Sequence, residues 1–149
     1  DHPAFLAPAD MPAAIPAFCR DTGRAVPGTK GEIVRTALEG LALKYRWVVE
    51  KLQILLDRQF SVLHVVGGGS QNKLLCQFAA DATGLPVIAG PVEATAIGNI
   101  AVQAVATGQL TSLDEARQVI RRSFDVVTYE PGQSASWDEA YERFEKLMS

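Results

Sequence analysis

Apolar residues recur along this chain first at helical spacing and then in short unbroken runs. Val34, Ala37, Leu38, Leu41, Ala42, Tyr45, Val48, Val49, Leu52, Leu55 and Leu56 recur at spacings of three and four, the repeat of one helical face. Thr29-Lys30-Gly31-Glu32, just ahead of it, reads as a capping box. The spacing predicts a helix of roughly 25 residues, about 38 Å long at 1.5 Å per residue. Its wide apolar arc predicts that it is largely buried. Phe60 to Val66 is apolar at nearly every position, as in a parallel strand covered on both faces. Ser70 to Ala82 reads as a helix, with Gly84 as its C′ residue. Pro86 to Ala89 reads as a second short strand, broken by Gly90-Pro91, and Ala94 to Thr107 as a helix stopped by Gly108. Strand, helix, strand, helix predicts a βαβα unit with a right-handed crossover.

The flanks carry weaker patterns. Pro3, Pro8, Pro12, Pro16 and Pro27 exclude one long regular element at the start. A short helix from Pro12 to Thr22 fits there, with Asp10 as cap and Gly23 as stop. Ser112-Leu113-Asp114-Glu115 opens a helix to about Ser123, and Val126 to Tyr129 is a short extended piece. Ser136-Trp137-Asp138-Glu139 caps a last helix, amphipathic through Trp137, Ala140, Tyr141, Phe144, Leu147 and Met148. The chain thus divides into a proline-rich lead-in over 1–28, an α/β body over 29–130 and a C-terminal helix over 131–149. Only two strands are distinct, which makes a poor sheet. Further strands are expected in the proline-rich start, in a part of the protein not included here, or in a partner chain.

Composition narrows the class. The chain has 149 residues, 48% of them apolar and 21% charged, enough for one globular domain. Its net charge of −3 and the lack of a lysine or arginine cluster argue against a nucleic-acid partner; Arg121-Arg122 is only a pair on a solvated helix face. No run of about 18 apolar residues is present, so no membrane span is expected, and no signal peptide is visible. Cys19 and Cys76 form no metal pattern, and Cys76 reads as a buried free thiol. A reducing, cytoplasmic compartment follows from this sparse cysteine use. A start at Asp1 rather than methionine is what a piece cut from something longer would give.

The candidate chemistry lies in Leu63-His64-Val65-Val66-Gly67-Gly68-Gly69-Ser70-Gln71-Asn72. A strand runs into three glycines and then into a helix. Glycines let a backbone approach a ligand closely, and helix starts suit phosphate. Two templates fail, however. The dinucleotide fingerprint needs a glycine where Asn72 stands, and the Walker A loop needs a Gly-Lys-Ser/Thr that is absent. Asn72 could offer a paired donor and acceptor to an adenine edge, or simply be an exposed early-helix residue. In Ala89-Gly90-Pro91-Val92-Glu93-Ala94, Glu93 is expected to cap its helix rather than act as a catalytic carboxylate. The many small residues after it favour close approach of a neighbouring element. His64 is expected to be a hydrogen-bonded core histidine, and Trp47 and Trp137 packing residues. No nucleophile, base or metal cluster can be assembled.

Taken together, Gly67 to Gly84 and Gly90 to Asn99 resemble the C-terminal lobe of the FGGY carbohydrate kinases. So do Phe18-Cys19-Arg20-Asp21-Thr22-Gly23, Gly31-Glu32-Ile33-Val34-Arg35 and Leu41-Ala42-Leu43-Lys44-Tyr45-Arg46-Trp47. Leu-Lys-Tyr-Arg-Trp and Ala-Gly-Pro-Val-Glu-Ala are the parts most like the rhamnulokinase branch of that family, and the likeness is weakest after Tyr129. The resemblance implies an α/β fold, part of a ribonuclease-H-like (actin-like ATPase) lobe with few parallel strands flanked by helices. It implies that Gly68, with Gly67 and Gly69 beside it, packs against a nucleotide and that Asn72 reaches the adenine. It implies phosphoryl transfer from ATP with Mg2+ to a ketose, L-rhamnulose first. The catalytic aspartate and the sugar site would sit in an N-terminal lobe missing from this chain, which alone would be inactive.

Three rivals remain. Another sugar kinase of the same family, for xylulose or fuculose, shares these motifs. A small dinucleotide binder would need an acid after the second strand, where Ile88-Ala89-Gly90 has none. A non-catalytic module that self-associates, as a homodimer, through exposed strand edges is the third.

Overall fold

The computed structural model describes residues 2–132 and 135–148; the side chain of Met148, assigned above to the apolar face of the last helix, lies outside that description. The chain forms two compact units, Asp1–Leu41 and Ala42–Ser149, with the division inside a long helix.

The prolines of the first unit, Pro16 excepted, lie outside helices or in a first turn. A 3-10 turn spans Pro3–Phe5. Helix α1 (Met11–Asp21) starts at Asp10, whose carboxylate accepts from the Ala13 N–H at 3.0 Å, and has Pro12 in its first turn. Such a cap contributes about 1 kcal/mol. Pro16 lies inside α1, and Gly23 leaves the helix at φ +67°. Phe18 packs against His2 and Phe5, with ring centroids 4.8 and 5.0 Å apart. Among the described residues of this proline-rich segment there is no strand.

Helix α2 (Lys30–Leu56) has the capping box that its sequence predicts. The Glu32 N–H donates to Thr29 Oγ1 at 3.2 Å, and Glu32 Oε2 accepts from the Gly28 and Thr29 N–H groups at 2.7 and 2.9 Å. Those two backbone donors hold the Glu32 carboxyl below the usual carboxylate range. Burial departs from expectation. Only Ala42, Leu43 and Val49 of α2 are buried, while Val34, Leu41, Val48, Leu52, Ile54, Leu55 and Leu56 are exposed.

The second unit carries a three-stranded sheet in the order β1 (Leu63–Val65), β2 (Val87–Ala89), β3 (Val127–Tyr129). β1 and β2 are parallel, and β3 runs antiparallel to β2. The extended piece at Val126–Tyr129 is therefore the third strand. Helix α3 (Lys73–Thr83) connects β1 to β2 and ends at Gly84, φ +68°. It covers one face of the sheet, where Cys76, Ala79, Ala80, Val87 and Ala89 form the core with Tyr45, Leu63, Val65 and Tyr129 around them. Small residues on α3 let the helix lie close to the strands.

The opposite face is not covered as a parallel strand would require. His64, paired with Ile88 and through it with Thr128, points there, and His64 and Thr128 are exposed. His64 is thus not a core histidine, because the alternation of a strand puts it opposite Leu63 and Val65. β1 is also shorter than the apolar run that suggests it.

Helices α4 (Ala94–Ala106) and α5 (Leu113–Ser123) pack on each other. α5 has its predicted cap, Ser112 Oγ accepting from the Glu115 N–H at 3.2 Å. Helix α6 (Ala135–Met148) begins one residue before Ser136, so Ser136 lies in its first turn instead of capping it. The path into α6 is held by Asp81 Oδ1, which accepts from the Gly132 N–H and from Gln77 Nε2, both at 2.8 Å. Trp137 then meets Phe78 edge-on at 5.2 Å, and Tyr141 donates to Glu50 Oε2 at 2.6 Å.

Candidate functional site

In open α/β sheets ligands bind beyond the carboxyl ends of parallel strands. Two loops meet at that end of β1 and β2. The first is a 3-10 turn over Gly67–Gln71, entered through Gly67 at φ +76°. The second runs from Gly90, φ +109°, through Pro91 and Val92 to Glu93, with a cis bond between Gly90 and Pro91. Backbone hydrogen bonds join them. The Gly90 N–H donates to the Val65 carbonyl at 2.8 Å, and the Gly67 N–H donates to the Pro91 carbonyl at 3.2 Å.

The three glycines have different reasons to be glycine. Gly67 needs its positive φ. A Cβ on Gly69 would make ordinary contact with Val65, 3.9 Å away. Gly68 has no left-handed φ, and a Cβ there would meet nothing within 4 Å. Nothing in this chain's own packing asks for glycine at 68, and the residue is exposed. The turn is stapled by Ser70 Oγ, which donates to the Gly67 carbonyl at 2.7 Å.

The turn also changes the role expected of Asn72. The helix starts at Lys73 and not at Ser70, and Asn72 is its cap: Oδ1 accepts from the Leu75 N–H at 3.0 Å. The paired donor and acceptor that its amide could have turned to an adenine edge is therefore partly engaged, leaving Nδ2 of this exposed residue as the freer group. Glu93 occupies the cap position of α4, but its side chain makes no capping hydrogen bond. Cys76, wholly buried beneath the turn, is a free thiol held above its ordinary pKa by burial. Trp137 packs on Phe78, while Trp47 lies under the Nζ atoms of Lys44 and Lys51 of its own helix, 4.0 and 5.7 Å away.

Another concavity, of about 300 Å³, lies at the amino ends of the same strands, lined in part by Arg46, Glu50, Gln53, Asp81, Thr83 and Asp138. Its charges are mutually satisfied, Arg46 with Glu50 and Asp138 at 2.9 and 2.7 Å. Among the described residues no group of three or more His, Cys, Asp and Glu side chains is placed to hold a metal ion. No helix among them is long and apolar enough to cross a membrane.

The model of the FGGY family of carbohydrate kinases, C-terminal domain, matches residues 1–107. A rhamnulokinase of Bacteroides thetaiotaomicron is 51% identical over 148 residues, 99% of this chain and 30% of that protein. Rhamnulokinases of an Enterobacter species and of Klebsiella pneumoniae are 44% and 46% identical, each over 85% of this chain and 26% of their own length. A xylulose kinase structure from Rhodospirillum rubrum superposes with a TM-score of 0.62 at 23% identity, covering 84% of this chain and 25% of that one. That likeness supports the ribonuclease-H-like fold. The chain spans less than a third of the length of these curated relatives.

Proposed function

The chain belongs to the FGGY family of carbohydrate kinases, and on that premise we propose that it supplies the nucleotide side of an ATP-dependent ketose kinase. L-rhamnulose is the best substrate, given the rhamnulokinases it is similar to. The observation that carries the reading is Gly68: an exposed glycine that its own chain does not require, on a turn at the carboxyl end of a parallel strand. In this reading the backbone of Gly67, Gly68 and Gly69 lies against the nucleotide and Asn72 reaches its base. When bound, ATP supplies the phosphoryl group, with Mg2+ on its phosphates. In such transfers the protein mainly positions groups and stabilises charge. The catalytic base and the sugar contacts belong to the remainder of the kinase, which acts in the cytoplasm where ATP is held.

The isolated chain is therefore expected to phosphorylate no L-rhamnulose, against turnovers of about 1–100 s⁻¹ typical of kinases. A coupled assay for ADP release checks this, and kinase-like turnover would overturn it. Calorimetric titration with a non-hydrolysable ATP analogue should give an affinity weaker than micromolar, since half of the cleft is missing.

A second reading, self-association of the chain, has one observation in its favour. β1 is a sheet edge, and such edges pair with one another. A mass by light scattering that stays monomeric at high concentration would dismiss it.

A further inference from the structure

We propose that Ser70 is a positioning residue of the nucleotide loop, holding the glycine turn in the shape that presents Gly68. The proposal rests on the nucleotide reading above. Three successive glycines form the most freely rotating backbone a chain can have, so a turn made of them needs something to fix it before a ligand arrives. The peptides around Gly67 are fixed from both sides. The Gly67 N–H is tied to the Pro91 carbonyl of the neighbouring loop at 3.2 Å. The Gly67 carbonyl accepts from Ser70 Oγ at 2.7 Å. Other side chains nearby contribute less. Cys76 Sγ lies 3.9 Å from the Gly69 and Ser70 carbonyls, where a thiol is a weak donor, and Asn72 Oδ1 is directed to α3. The Ser70 hydroxyl is thus the one strong side-chain bond within the turn among the described residues. Half-buried, it is sheltered from competition by water. A turn fixed in advance binds more tightly because less freedom is lost on binding.

The test is nuclear magnetic resonance on the 149-residue chain titrated with a non-hydrolysable ATP analogue. The amide signals of Gly67 to Gln71 are expected to move with saturable dependence on the analogue. Ser70→Ala and Ser70→Cys should bind about threefold to tenfold more weakly, and Ser70→Thr, which keeps the hydroxyl, should bind as the parent does. Thermal midpoints of the variants should stay within about 2 °C of the parent, since a turn at the end of the sheet, with Gly68, Gly69 and Gln71 exposed, contributes little to global stability. Unchanged affinity in both hydroxyl deletions, or no rescue by threonine, overturns the proposal while leaving the nucleotide reading intact. Amides at Gly67 to Gln71 that do not move in the parent chain overturn the nucleotide reading and this proposal with it.

Discussion

Gly90→Val is expected to destabilise the α/β unit by about 3 kcal/mol or more. Two independent costs add at this position. The backbone sits at φ +109°, where a side chain brings strain of about 1–3 kcal/mol. The new Cβ would also stand 3.2 Å from the Asp125 carbonyl and 3.8 Å from the Val126 Cα. Those neighbours are backbone and lead directly into β3, so they cannot swing aside as the end of a long side chain could. Relief would require either the link before β3 to move away from β2, or Gly90 itself to shift and disturb its N–H bond to the Val65 carbonyl at 2.8 Å. Against a typical total stability of about 5–15 kcal/mol, such a loss is large. The thermal midpoint should fall by on the order of 10 °C, as followed by circular dichroism. A midpoint within about 2 °C of the parent would show that the close approach at Gly90 is dispensable.

How far the sequence carries this fold depends on the kind of signal. Local chemistry read well. The caps at Asp10, Thr29 with Glu32, and Ser112 each make the hydrogen bond expected of them, because a cap involves residues only three apart. Gly84 and Gly108 adopt the positive φ that ends a helix. Burial read poorly, because it depends on elements far away in the chain or outside it. The apolar arc of α2 implies a largely buried helix and the run around His64 a strand covered on both faces, yet much of α2 and the His64 face of the strand are exposed. β3 was visible only as an extended piece, since three residues carry too little periodicity to identify a strand or its partner. At the site, the glycine turn was legible as a turn, but its length was not. A 3-10 segment through Gln71 moved the helix start to Lys73 and made Asn72 a cap, a role that spacing alone could not separate from an early-helix position.

Gly68→Val is expected to remove nucleotide binding while leaving the fold intact, and it separates the two glycines that the sequence presents as equals. A side chain at 67 would be forced into a positive φ, so loss of binding there would be indistinguishable from damage to the turn. At 68 the backbone has no such demand and the added Cβ enters open space, with nothing of the chain within 4 Å. The cost to stability should be confined to about 0.5 kcal/mol, typical of an exposed substitution. A nucleotide lying against that backbone would meet the isopropyl group directly, and the turn, held by Ser70 and Pro91 on both sides, is not free to give way. Binding of an ATP analogue should therefore fall by more than tenfold, seen as loss of amide shift changes at Gly67 to Gln71, with the melting curve unchanged. Gly68→Ala, one methyl group, should fall in between. If Gly68→Val melts as the parent and binds as the parent, the open space above Gly68 is not where the nucleotide lies.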